Sequence, residues 1–156
     1  MSIQLHVWGD FACFTRPEMK VERVSYDVMT PSAARGILEA IYWKPEMRWV
    51  VDEIHVLAPI RFTQIRRNEL GGTIPERSVT SAMKEGSGVL GIDITSTRQQ
   101  RAALVLKDVR YGIGAHVGVL DAGENPQPEA KHLNMFRRRA AKGQYFHHPY
   151  LGVREF

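Results

Sequence analysis

Ile3, Leu5 and Val7 alternate with Gln4, His6 and Trp8, the period of a half-buried strand. A Gly9-Asp10 break follows, then an irregular stretch holding Pro17. Thr30-Pro31-Ser32 reads as a helix start, because threonine caps and proline suits the first helical position. Ala33, Ala34, Ile37, Leu38 and Ile41 recur at helical spacing until Lys44-Pro45, where proline disfavours helical backbone in the residue before it. The spacing predicts a helix over 31–43. Residues 47–60 carry Trp49, Val50, Val51, Ile54, Val56 and Leu57 and predict a strand. Its alternation slips at Asp52-Glu53, as a bulge would make it do. Residues 61–69 read as an exposed continuation in strand. Residues 71–96 are turn-rich and weakly apolar, the mark of a functional or mobile insertion.

Residues 101–106 and 109–120 flank Lys107-Asp108 and read as paired strands. In the second, Val109, Tyr111, Ile113, Ala115, Val117 and Val119 share one face, and Arg110, Gly112, Gly114, His116 and Gly118 share the other. Glycines on one strand face leave bare backbone, so another chain segment or a ligand packs close there. Asn125-Pro126-Gln127-Pro128 introduces a second helix, reaching about Lys142 and closed by Gly143. A last strand is expected over 150–156. With the insertion at about 61–100 set aside, the order is βαββαβ. That is an α+β, ferredoxin-like (split βαβ) arrangement with two helices on one face of an antiparallel sheet, and the insertion reads as hairpin-like. The expectation is one such domain over 1–156.

Composition narrows the function. Hydrophobic residues make up 44% and charged residues 24% of the 156, a globular profile. No apolar run approaches the ~20 residues of a membrane span, and no secretory signal is visible, so a cytoplasmic protein without a membrane partner is expected. The single Cys13 excludes an internal disulfide and any cysteine-rich zinc site; with no evident partner base it reads as a buried apolar residue. The net charge is +4. From Ala130 onward Lys131, Arg137, Arg138, Arg139, Lys142 and Arg154 face one acid, Glu155, interleaved with Phe136, Tyr145, Phe146 and Tyr150. Basic groups bind phosphate and aromatic rings stack bases, so the segment suits RNA. It suits a solvated basic surface equally well.

Several chemistries fall away. His147-His148 in a strand point to opposite faces, and no H-x-x-x-H, cysteine pair or acidic cluster has ligand spacing; no metal or cofactor is expected. Gly86-Ser87-Gly88 lacks the lysine and the strand-to-helix setting of a phosphate loop, and no serine sits in G-x-S-x-G. At about 100° per residue, Lys131, Met135, Arg138 and Lys142 form a stripe opposite Leu133, Phe136 and Ala140, with His132 on the flank near Arg139. Lys131-His132 falls in the first turn of the second helix, where free N–H groups and the dipole favour an anion. Lysine would stabilise the charge of a phosphorane and histidine would move a proton. Taken alone, such a pair is also ordinary helix surface. Tyr42, at the margin of the first helix, caps the core with its ring and leaves its hydroxyl wet; whether it meets Lys131-His132 depends on helix direction.

The stretches VWGDFACFTRPEMKVERVSYDVMTPSAARGILEAIYWKP at 7–45, RRNE at 66–69, RQQRAALVLKDVRYGIGAH at 98–116, KHLNMFRRRAAKGQ at 131–144 and LGVREF at 151–156 resemble the fifth Cas protein family of CRISPR systems. The match is to its subtype I-C (Dvulg) branch, within the RAMP superfamily. The resemblance implies a ferredoxin-like domain and a metal-independent endoribonuclease. Such a protein cuts precursor CRISPR RNA at the repeat hairpin, keeps the 5′ handle, and serves beside the backbone and large subunits of the type I-C surveillance complex. It places the catalytic tyrosine on Tyr42, in IYWKP, and the Lys-His pair on Lys131 and His132, in AKHL. The implied chemistry is attack by the upstream 2′-hydroxyl, leaving a 2′,3′-cyclic phosphate. Candidate RNA contacts are Arg66, Arg67, Arg98, Arg101, His116, Arg137, Arg138, Arg139 and Lys142. Family members continue beyond L-G-x-R-E-F into more β structure, so the family's C-terminal extension is expected to be absent here. A catalytically silent subunit that only holds the 5′ handle remains the rival expectation.

Overall fold

The computed structural model describes residues 2–88, 90–121 and 128–156. Its elements are β1 (Ser2–Ala12), β2 (Arg23–Val24), α1 (Pro31–Ile41), β3 (Met47–Val56), β4 (Phe62–Leu70), α2 (Glu76–Glu85), α3 (Ile94–Thr97), β5 (Arg98–Val119) and α4 (Pro128–Ala141). They divide into two compact units, Met1–Thr63 with Leu104–Phe156, and Gln64–Ala103. The α+β class expected from the sequence holds.

In the first unit β5 is the hub. Tyr111–His116 pairs antiparallel with β1 through Val7–Ser2 on one side and with β3 through Val56–Val50 on the other. The apolar face of β5 packs the helices: Val109, Tyr111, Ile113, Ala115 and Val117 share one core with Ala34, Ile37, Leu38 and Ile41 of α1 and Leu133 and Phe136 of α4. On the opposite face, cross-strand side chains cover the glycines. A Cβ at Gly114 would stand 2.5 Å from Glu53 Cγ, and one at Gly118 would stand 3.2 Å from Arg48 Cγ. The glycines therefore admit a neighbouring strand's side chains. The register slips between Val51 and Glu53, the bulge that the broken alternation implied.

Three expectations are corrected. Lys107-Asp108 makes no turn; β5 runs through it as one strand, because Phe11 pairs with Lys107 and Gly9 with Val109 across it. Asp108 absorbs the irregularity at φ 52°. Likewise β1 does not break at Gly9-Asp10 but continues to Ala12 along the same partner. The turn-rich stretch at 71–96 holds a helix that its turn residues did not announce, α2, closed by Gly86 at φ 61°. None of its residues is buried, and its short apolar set, Val79, Ala82 and Met83, lies among turn-forming residues. The last strand is absent. Leu151 N–H donates to Phe156 O and Phe156 N–H to Val153 O, which curls 151–156 into turns. The Asn125-Pro126-Gln127 part of the second helix start lies outside the described residues.

That curl is tied to β1. Cys13 N–H donates to Leu151 O at 3.0 Å, and Arg23 pairs with Glu155 at 3.0 Å. Gly152 holds φ 93°, and a Cβ there would collide with the Cys13 carbonyl. A left-handed backbone and a blocked Cβ combine, so Gly152→Ala is expected to cost about 2 kcal/mol or more of unfolding free energy. Gly72→Ala, with nothing within 4 Å of its Cβ, should change little; urea titration of both variants checks this.

Candidate active site

Thr30 caps α1 by accepting Ala33 N–H at 3.3 Å. Eleven residues later the helix stops, and Tyr42 leaves it in extended backbone (φ −155°, ψ 126°). A helix end exposes carbonyls that need donors. Three come from elsewhere in the same unit. Phe146 N–H donates to Ala40 O at 2.7 Å, Arg139 Nε donates to Ile41 O at 2.7 Å, and Trp49 Nε1 donates to Tyr42 O at 2.8 Å. Trp49 is itself packed edge-on against Phe136 of α4, ring centroids 4.9 Å apart. Tyr42 is thus held by β3, by α4 and by the segment after α4.

The two helix ends meet. Tyr42 Oη lies 3.0 Å from His132 Nδ1. Both side chains are covered: Tyr42 is 6% and His132 1% exposed. His132 belongs to the core side of α4 with Leu133 and Phe136, not to the flank that the helical projection assigned it. The Tyr42 hydroxyl is not wet but bonded. Because α4 is described from Pro128, Lys131 closes the first turn and His132 opens the second. Lys131 is exposed beside its buried neighbour.

The surroundings keep the pair neutral. Burial pushes the Tyr42 phenol above its ordinary range, nearby Glu46 adds to this, and Arg139 opposes it. Burial pushes His132 below the ordinary imidazole value; Glu46 pulls the other way, and Lys131 and Lys44 reinforce burial. A buried phenol beside a neutral imidazole can pass and orient protons, whereas a free phenolate is disfavoured.

The other candidates divide. Arg138 and Lys142 lie on the exposed side of α4 or just past its end, with Arg138 Nη2 on Met135 Sδ at 3.0 Å. Arg137 Nη2 reaches Ser2 O at 3.4 Å. His116 stands on the glycine face of β5 and pairs with Asp52 at 2.8 Å, on the side away from the helices. In the second unit, Glu69 holds Arg67 at 3.3 Å and Arg101 at 3.2 Å; Arg66 lies on β4 and Arg98 begins β5. The structure therefore brings together Tyr42, Lys131, His132 and Arg139, and leaves His116 on another face. Sequence reasoning missed Trp49 and Glu46 and read Arg139 only as an RNA contact. A buried indole needs an acceptor for its N–H, a signal for Trp49 alone. Among the described residues, no group of three or more His, Cys, Asp or Glu side chains gathers as a metal site, and no helix is long and apolar enough to cross a membrane.

The split-βαβ sheet hosts many functions, so the geometry alone fixes no activity. A family model described as CRISPR-associated protein (Cas_Cas5), the Cas5d type, matches residues 2–156. The chain belongs to the Cas5d family of CRISPR-associated proteins. It is 61% identical over 155 residues to a Mannheimia succiniciproducens protein named CRISPR pre-crRNA endoribonuclease Cas5d, covering 99% of this chain and 69% of that one. It is 47% identical over 154 residues to a Thermus thermophilus protein of the same name, covering 99% and 61%. Among solved structures, one titled as a CRISPR-associated protein superposes with a TM-score of 0.61 at 27% identity, over 99% of this chain and 62% of that one. A chain of a CRISPR RNA-guided surveillance complex superposes at 0.57 over 100% and 59%; at 16% identity it speaks for the fold alone. The chain thus spans about three fifths to two thirds of the length of these relatives.

His132 carries a pH signature. Its folded pKa lies below its unfolded one, so the unfolded chain binds the extra proton first and stability falls as pH drops through the ordinary imidazole range. Above that range the term is flat. The thermal midpoint should fall between about pH 7.5 and pH 5.5 in the parent protein. His132→Gln, which cannot titrate, should flatten that slope whatever its absolute stability; scanning calorimetry across the interval checks it.

Proposed function

We propose that this chain is an endoribonuclease that cuts CRISPR precursor RNA at its repeat hairpin without a metal ion and then retains the 5′ handle. The observation that carries the reading is the 3.0 Å contact of Tyr42 Oη with His132 Nδ1, next to Lys131 on a basic helix. The names of the two relatives supply the substrate class. His132, neutral near pH 7, orients its ring through Tyr42 and takes the proton of the upstream 2′-hydroxyl. The 2′-oxygen attacks phosphorus, the bond to the 5′-oxygen breaks, and that oxygen takes up a proton. The products are a 2′,3′-cyclic phosphate and a 5′-hydroxyl end. Lys131 neutralises charge on the phosphorane. Because burial disfavours its phenolate, Tyr42 orients rather than deprotonates. Arg138 and Lys142 line the phosphate track; Arg137, His116 on the other sheet face, and Arg66, Arg67, Arg98 and Arg101 of the second unit are candidates for separate RNA contacts. The residues at about 61–100 act as a hairpin-like insertion in a single ferredoxin-like domain. Partners are the repeat RNA and its crRNA product, and the backbone and large subunits of a type I-C surveillance complex.

A second reading, a silent subunit that only holds the 5′ handle, draws on the near-complete burial of Tyr42 and His132. A labelled repeat hairpin in EDTA separates the two. The enzyme yields product with cyclic-phosphate ends; the silent subunit binds and yields none. Lys131→Ala and His132→Ala should each slow cleavage about a hundredfold while RNA binding persists. Tyr42→Phe should slow cleavage with stability kept within about 1 kcal/mol. The rate should rise with pH and level off, with its inflection below the ordinary imidazole value, and a 2′-deoxy sugar upstream of the cut should abolish cleavage in every variant. Equal rates in the parent protein and both alanine variants would overturn the site.

A further inference from the structure

Phe146 combines two properties. Its ring is 89% exposed, yet its backbone N–H is fixed on Ala40 O at 2.7 Å, two residues before Tyr42. The segment leading to it is anchored as well. Gly143 turns at φ 63°, and Gln144 N–H donates to Arg139 O at 2.9 Å, on the same residue whose Nε holds Ile41 O. The neighbouring aromatics are paired off: Tyr145 meets His148 edge-on at 5.3 Å, and His147 stacks on Tyr150 at 6.0 Å. Phe146 meets His147 in a T-shaped contact at 6.1 Å and stays almost fully exposed.

Scattered exposed apolar residues need no explanation. An exposed ring whose backbone is bonded two residues from Tyr42 is different, because its attachment point is ordered before anything binds and only the side chain remains to be placed. The charge around it selects the occupant. From Ala130 onward, six basic residues stand against Glu155, and Arg138 and Lys142 lie exposed near the end of α4. That is the setting of a polyanion with π-faces, not of an apolar peptide.

We propose that Phe146 is a stacking platform for one nucleobase flanking the cleaved phosphate, which sets that nucleotide's position relative to Tyr42 and His132. This rests on the endoribonuclease reading and deepens it. Base–aromatic stacking tolerates sequence, so the platform would fix where the strand lies rather than which base is present.

The test uses the 156-residue chain and a stem-loop repeat RNA with 2-aminopurine placed in turn at each nucleotide flanking the cut. A 2′-deoxy sugar upstream of the cut holds the RNA intact for the binding assay. The parent protein and Phe146→Trp should quench the fluorescence at one position. Phe146→Leu, equally apolar but without a π-face, should lose the quench, bind about tenfold more weakly and cleave the all-ribose RNA more slowly. Replacing that base by an abasic site should erase the difference between parent and Leu variant. Thermal midpoints should coincide, since an exposed ring supports no core. A Leu variant that quenches and cleaves like the parent, or an abasic penalty that merely adds to the Leu penalty, overturns the proposal; the first result would favour an apolar protein segment as the occupant. Quenching at one position without any cleavage would overturn the endoribonuclease reading but support the stacking platform. No RNA binding by the parent protein overturns both.

Discussion

The site depends on how the C-terminal carbonyls of α1 are satisfied. A helix that stops inside a protein leaves acceptors that cannot remain unpaired at small cost. Here one donor, the Trp49 indole, comes from the next strand, and two, the Arg139 guanidinium and the Phe146 backbone, come from the far end of the chain. Each bond ties β3, α4 or the segment after α4 to the same short stretch, Ala40–Tyr42. Once those ties form, the backbone of Tyr42 has little freedom, and its ring can reach His132 across 90 residues of chain.

The same burial that fixes the pair determines its chemistry. Desolvation acts on both partners in the direction that removes charge, raising the phenol and lowering the imidazole. Glu46 pushes both upward, while Arg139 opposes it at Tyr42 and Lys131 and Lys44 oppose it at His132. The result is two neutral groups in hydrogen-bond contact, with the fixed positive charge of Lys131 outside them. In the proposed reaction such a division suits a phosphate: the cation meets the charge from solvent, and proton handling stays beneath the surface.

The sheet keeps its two faces for different purposes. Branched and aromatic residues of β5 meet the helices, whereas its glycines let Glu53 and Arg48 from β3 lie across the strand. The hydrogen-bond contact of His116 with Asp52 belongs to this second face. The candidate catalytic groups all lie on the helix side, so the face that carries the glycines plays no part in positioning them.

Much was legible before any coordinates. Alternation in Ile3–Val7 and along Val109–Val119, the Thr30-Pro31 cap and the slip at Asp52-Glu53 are local patterns, and local physics produced the elements they announce. The resemblance of the IYWKP and AKHL stretches pointed to Tyr42, Lys131 and His132. Local pattern failed where neighbours overrule it. Lys107-Asp108 looks like a turn, but pairing with Phe11 and Gly9 holds it in strand. The residues at 150–156 look like a strand, but Gly152 and the Leu151–Phe156 bond curl them back on β1. Helix α2 has only Val79, Ala82 and Met83 at helical spacing, too short a pattern to stand out between glycine-rich turns. Above all, a helical projection puts His132 on a flank, because it knows one helix at a time. Only packing against α1 decides that the imidazole is buried, that it meets a phenol, and that Arg139 turns toward the Ile41 carbonyl. Those facts depend on which distant groups come within bonding distance, and no period or propensity along the chain encodes that.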